Sequence, residues 1–152
     1  MRYWTRVLPI VALAAVSACA GNHLRPPSSG SGAATPSAAV EEFLKLGEQK
    51  DYVQMGWIFG TKDGPVIQHW PRPEMEKRMY ALATVLQNES FVVGSGSPVP
   101  GRIGEAVRFS VQLIRDRGNV SVPFTAVKGP RDRWYVEQVD LQAVTSPAST
   151  YP

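Results

Sequence analysis

The apolar residues of this chain change their period once, near residue 90, and that change decides the class of fold open to it. Before Asn88 they recur at helical spacing: Met75, Met79, Leu82, Ala83 and Leu86 are separated by four, three, one and three positions and share one helix face. After Ser90 the period becomes two, with Val107, Phe109, Val111 and Leu113 alternating with Arg108, Ser110 and Gln112 as a half-buried antiparallel strand requires. Helices followed by strands joined through short turns predict an α+β domain, with N-terminal helices packed on a curved antiparallel sheet of about four strands.

The helical half carries its own start signals. Thr35 suits an N-cap and Pro36 the first helical position, after which Val40, Phe43 and Leu44 share a face. Asp51 can cap a second, shorter helix with Tyr52 and Met55 on one side, to which Trp57 and Ile58 add apolar bulk. Gly60 to Pro65 breaks it, and Asn88 closes the third helix, which follows Pro71 and Pro73. In the strand half, a short strand at Phe91 to Val93 precedes a loop, Gly94 to Gly101. Arg115 to Asn119 and Lys128 to Asp132 are turns, and Val120, Val122, Phe124 and Ala126 point one way. Pro123 lacks an N–H, so its strand is expected at an edge or with that site turned outward. Tyr135 and Val139 fall on one parity and Trp134 and Val136 on the other, which calls for a bulge or two buried faces.

Chemistry is most legible at the N-terminus. Arg2 and Arg6 flank a short cationic segment, Val7 to Val16 carries no charge, and Ser17-Ala18-Cys19 follows. The apolar run is too short to cross about 30 Å of hydrocarbon and reads as a secretory signal. Val16-Ser17-Ala18-Cys19, holding the sole Cys of the chain, resembles the lipobox of bacterial lipoproteins. The resemblance implies a diacylglyceryl thioether on Cys19, cleavage before it, and acylation of the new amine by a fatty acid such as palmitate. It also implies anchoring in the cell envelope, with Ala20 after the Cys favouring the outer membrane, facing the periplasm. Acyl chains contribute about 0.8 kcal/mol per buried methylene, so two or three hold a protein firmly to a bilayer.

Residues 1–18 are thus read as signal peptide, 19–36 as a Pro/Gly/Ser/Ala tether, 37–144 as the folded domain and 145–152 as a frayed tail. Of residues 20–39, sixteen are Ala, Gly, Pro, Ser or Thr, too small and polar to offset their ordering entropy. Removing the signal leaves fourteen Lys and Arg against thirteen acids, and no compact basic run interleaved with aromatics, so no nucleic acid partner is expected. With one Cys, no intramolecular disulfide is available.

The order of elements resembles the nuclear transport factor 2-like superfamily, a cone of helices and curved sheet. The resemblant pieces are Thr35-Pro36 with Val40 and Phe43, Asp51-Tyr52, and the closing Arg133-Trp134-Tyr135-Val136-Glu137-Gln138-Val139-Asp140-Leu141. A cystatin-like sheet with a single helix is the runner-up, disfavoured by the two further helical segments. The resemblance implies a conical pocket, for which Tyr52, Met55, Trp57, His69, Trp70 and Tyr80 are the candidate lining residues. It also implies that the sheet surface permits a homodimer.

Function remains divided between two classes. A small isomerase or dehydratase without cofactor would need an Asp or His base and an oxyanion donor inside the pocket. Tyr52 and Tyr80 are more economically read as core, Asp51 as a cap, Asp140 as a solvent-facing strand residue and His69 as a surface loop residue. Neither a metal-binding spacing nor a cofactor motif is present, so no cofactor is expected. The favoured reading is a non-catalytic module that binds a small apolar ligand or docks on another envelope protein.

Overall fold

A computed structural model describes residues 31–145, so the signal, Cys19 and most of the tail lie outside the described residues. Helix α1, Pro36–Glu48, starts as its sequence predicts, with the Thr35 hydroxyl accepting from the Ala38 amide at 3.2 Å and Pro36 in the first turn. Its buried residues, Ala39, Val40, Phe43 and Leu44, lie on one face. Asp51 caps α2, Tyr52–Ile58, by accepting from the Gln54 amide at 3.1 Å. The Gly60 to Pro65 break is itself structured: strands β1, Gly60–Thr61, and β2, Gly64–Pro65, form a minimal hairpin. A parallel bridge from Phe59 to Val136 ties this hairpin's approach to the end of the chain. Helix α3, Arg72–Val85, buries Met75 and Met79, with Leu86 buried just beyond it. The Asn88 side-chain amide donates to the Leu86 carbonyl at 2.9 Å and closes the turn.

Five strands form the main sheet: β3 (Ser90–Val93), β4 (Ser97–Pro98), β5 (Ala106–Ile114), β6 (Val120–Lys128) and β7 (Trp134–Val139). Their order is β3-β5-β6-β7, all antiparallel, with β4 pairing β5 on the same side as β3. The fifth strand was not expected; two residues of the loop after β3 return to the ladder, a pairing too short to leave a period. The inner face is built by Leu113 opposite Val120, Val111 opposite Val122, Phe109 opposite Phe124 and Val107 opposite Ala126. The outer face pairs Gln112 with Ser121, Ser110 with Pro123 and Arg108 with Thr125.

Pro123 sits in a central strand, turned to the outer face. Its carbonyl accepts from the Asp140 amide, so its nitrogen faces the β7 side, one residue past the last ladder pair, Phe124 with Val139. The missing donor therefore costs no bond to β5 and forgoes only the reciprocal bond to Asp140, just past the end of the β7 ladder. In β7 the register steps from Thr125 opposite Gln138 to Ala126 opposite Val136, leaving Glu137 as the extra residue of a bulge. Both anticipated consequences occur together, since Tyr135 and Val136 are consecutive and both buried.

Tyr135 is buried because the chain returns over it. Ser31, Gly32 and Ala33, assigned to the tether by composition, are buried and form a strap across the start of β7. Ala33 and Trp134 exchange backbone hydrogen bonds of 2.8 and 2.9 Å, and the Gly32 amide donates to the Trp57 carbonyl at 3.1 Å. The Arg133 guanidinium donates to the Ser31 and Gly32 carbonyls at 3.2 and 2.6 Å, and the Ser31 and Tyr135 hydroxyls are 3.0 Å apart. The ordered domain thus begins at least six residues before the compositional boundary at residue 37, because backbone pairing, which composition does not report, orders the strap.

Candidate functional site

The space between the helices and the inner sheet face is occupied by side chains. Phe43 meets Phe124 edge-on at 6.4 Å and Phe59 at 5.7 Å, with Met55, Met79, Val111 and Val122 fully buried around them. The cavity lies instead among the helices, where the C-terminal turns of α1 and α3 meet the start of α2. It has a volume of about 360 Å³. Its floor is apolar, made by the buried Phe43, Leu44, Met55 and Leu86. Exposed Glu48, Lys50, Thr84 and Gln87 stand at its rim. Tyr52 and Tyr80 form one wall, their rings perpendicular with centroids 5.6 Å apart.

Of the predicted lining residues, Tyr52, Met55 and Tyr80 are brought together here, while Trp57, His69 and Trp70 lie elsewhere. Trp70 packs on Phe59 at 6.4 Å, and the Arg78 guanidinium carbon lies 4.6 Å from its ring centroid. His69 is exposed at the end of a single 3₁₀ turn, Val66–Gln68. Trp57 is at the far end of α2, beneath the strap, with its indole nitrogen buried and without a hydrogen-bond partner. Sequence reasoning missed the contribution of α1: Phe43, Leu44, Gly47 and Glu48. The available signal was Gly47, whose lack of a side chain leaves room beside Ala83 where α1 and α3 approach; a Cβ there would lie 3.6 Å from that of Ala83.

A second, wider depression of about 760 Å³ lies at the opposite end, among β1, the loop after β4 and the β6–β7 turn. Its centre is a bidentate pair in which Arg102 donates to both Glu137 carboxylate oxygens at 2.7 and 3.1 Å. The bulge aims Glu137 at this partner. Hydrogen bonding to Glu137 holds the Arg102 guanidinium above its ordinary value, helped by the charges of Glu137 and Glu105 and opposed by partial burial. Lys62, Lys128, Asp63 and Glu105 complete a surface of mixed sign.

Among the described residues no group of three His, Cys, Asp or Glu could hold a metal ion, and no helix is long and apolar enough to cross a membrane. The fold and site define an α+β domain with an apolar cavity among its helices. Neither a protein-family model, nor a curated protein, nor a solved structure matches the chain.

Proposed function

We propose that the protein is an envelope lipoprotein anchored through acylated Cys19, and that its domain is a non-catalytic module with a nuclear transport factor 2-like cone architecture, binding a small apolar ligand in the cavity among its helices. The architecture is supported by three helices preceding an antiparallel meander that packs its apolar face on them. The observation that carries the binding role is the cavity's distribution of chemistry: buried Phe43, Leu44, Met55 and Leu86 below, exposed polar groups above. Such a site favours an apolar body with one polar end left at the mouth. At about 360 Å³ it is near the lower limit of ligand sites, which run from about 300 to 1,000 Å³. The enzymatic alternative loses support because His69, the ring base, is exposed away from the cavity that holds both tyrosines.

Two measurements test the two halves of this reading. Intact mass of the protein from native membranes is expected to show cleavage before Cys19 plus acyl chains, lost in Cys19→Ala; an unmodified soluble chain overturns the anchor. For the cavity, fluorescence of a small naphthyl probe is expected to rise on binding and to fall several-fold in Gln87→Trp, which fills the mouth from an exposed rim position. Equal binding by a folded Gln87→Trp variant overturns the assignment.

A further inference from the structure

Three loops and the strap converge at one end of the domain. Lys128 donates its amide to the Glu105 carbonyl, which fixes the loop 99–105 to the β6–β7 turn, and Gly129 packs beside the Thr61 carbonyl of the small hairpin. The strap is pinned to the same turn through Arg133 and Trp134. At the tip of the loop, Ile103 lies between Gly101 and Gly104 and is 79% exposed, against 56% for Val92 and 55% for Tyr80, the other large exposed hydrophobics. Pro100 beside it and Pro130 in the neighbouring turn are exposed too.

Only residues 20–30 separate Cys19 from the ordered Ser31, a length that spans at most about 40 Å when fully extended. Strand β5 runs nine residues, about 30 Å, from this end to the 115–119 hairpin. The anchor therefore attaches at the end that carries Ile103 and leaves the far end a domain length away.

We propose, resting on the lipid-anchored reading above, that this end is a bilayer-contacting face and that Ile103 inserts into the boundary between headgroups and acyl chains. An aliphatic side chain held clear of the domain on a loop tip fits an apolar medium, and a bilayer surface is the one within reach of the tether. The contact is apolar rather than electrostatic. Arg102 is bound to Glu137, Lys128 to Asp132 at 3.0 Å and Arg133 to the strap carbonyls, and with Lys62, Arg131, Asp63 and Glu105 included this end carries a net charge of only about +1.

The test uses the acylated full-length protein, in which the Cys19 thiol is consumed, so that Ile103→Cys provides the single reactive thiol for an environment-sensitive fluorophore. Asn119→Cys, on the far hairpin, is the comparison. In vesicles of phosphatidylethanolamine and phosphatidylglycerol carrying nitroxide on their acyl chains, the label at 103 is expected to shift to shorter wavelength. It is also expected to be quenched several-fold more than the label at 119, with little change at about 0.5 M salt. Equal quenching at both positions, or none at 103 when intact mass shows acylated Cys19, overturns the proposal. So does a shift at 103 that grows with protein concentration without vesicles, which assigns the tip to a second copy of the chain. A chain whose mass shows no acylation overturns the anchor itself, and this inference with it.

Discussion

Replacing Gly32 by alanine tests the strap and therefore where the folded domain begins. Gly32 has φ +70, and an added Cβ would lie 2.8 and 2.9 Å from the Tyr135 ring and 3.0 Å from the Arg133 Cβ. An L-residue in this region costs about 1–2 kcal/mol, and overpacking adds about 1–3 kcal/mol if the strap stays in place. The cost has a ceiling, because the strap can instead detach. Its hydrogen bonds to Trp57, Arg133, Trp134 and Tyr135 contribute about 1 kcal/mol each net, against ordering three residues at about 1–2 kcal/mol apiece. Adding the re-exposure of Tyr135 brings release to roughly 2–3 kcal/mol. Gly32→Ala is therefore expected to destabilise by about 2–3 kcal/mol, lowering Tm by roughly 8–15 °C for a domain of this size.

Two features separate this from ordinary backbone strain. Gly118 also has a positive φ, +109, but nothing lies within 4 Å of an added Cβ, so Gly118→Ala is expected to cost only about 1–2 kcal/mol. Hydrogen exchange at the Ala33 and Trp134 amides should accelerate in Gly32→Ala and stay unchanged in Gly118→Ala. Arg133→Ala, which removes the strap's clamp, should not add fully to Gly32→Ala, because both release the same segment. A Gly32→Ala protein that melts within about 1 °C of the parent, with Trp134 still protected, refutes the strap as a structural element.

Phe124→Ala removes a fully buried ring that meets Phe43 at 6.4 Å and is expected to cost about 3–5 kcal/mol, read from the urea midpoint at unchanged m-value. Asp51→Ala deletes the α2 cap and is expected to cost about 1 kcal/mol by the same measurement, with Asp51→Asn retaining most of it. Arg102→Ala breaks a bidentate but partly exposed pair and is expected to cost about 1 kcal/mol, less at high salt. Because Arg102 is held above its ordinary value, its contribution is complete below that value and is lost only on titration in strong alkali. The Arg102→Ala difference should therefore be flat between about pH 6 and 9, and a slope there would refute the assignment.

The elements legible in the sequence are those whose cause is local. Thr35 and Asp51 each act on an amide three residues away, and the alternation through β5 and β6 records burial directly, so caps, helix faces and the central hairpin follow from residue order. The bulge in β7 was legible for the same reason, since a parity conflict between Tyr135 and Val136 has few physical resolutions. What stayed hidden depends on contacts between distant segments. Ser31 to Ala33 has the composition of a linker and is ordered by residues about a hundred positions later. The cavity shares that character: Tyr52 and Tyr80 could be placed on helix faces, but only the meeting of α1, α2 and α3, with Gly47 close to Ala83, makes the space they line. Trp57, His69 and Trp70 share the chemistry of a pocket wall, but Trp57 lies under the strap, Trp70 packs on Phe59 and His69 is exposed after the 3₁₀ turn.

The strap also joins the two halves of the proposed function. If the chain is anchored through Cys19 as proposed, tension would enter the described domain at Ser31 and pass through Arg133 and Trp134 into β7, while the cavity lies at the opposite ends of α1 and α3. Helix α1 has thirteen residues, about 20 Å at 1.5 Å per residue, and separates the two points. On that reading the Arg133 clamp would do more than stabilise: while it holds, the link to Cys19 would leave from the end remote from the cavity mouth. Releasing it would lengthen that link by the strap residues and, in the anchored protein proposed above, free the domain to present either end to the bilayer. If access to the cavity depends on that orientation, a folded Arg133→Ala protein should bind the naphthyl probe as the parent does in solution and differ from it only when anchored on vesicles. A loss in solution as well would place the effect in the fold rather than in the orientation.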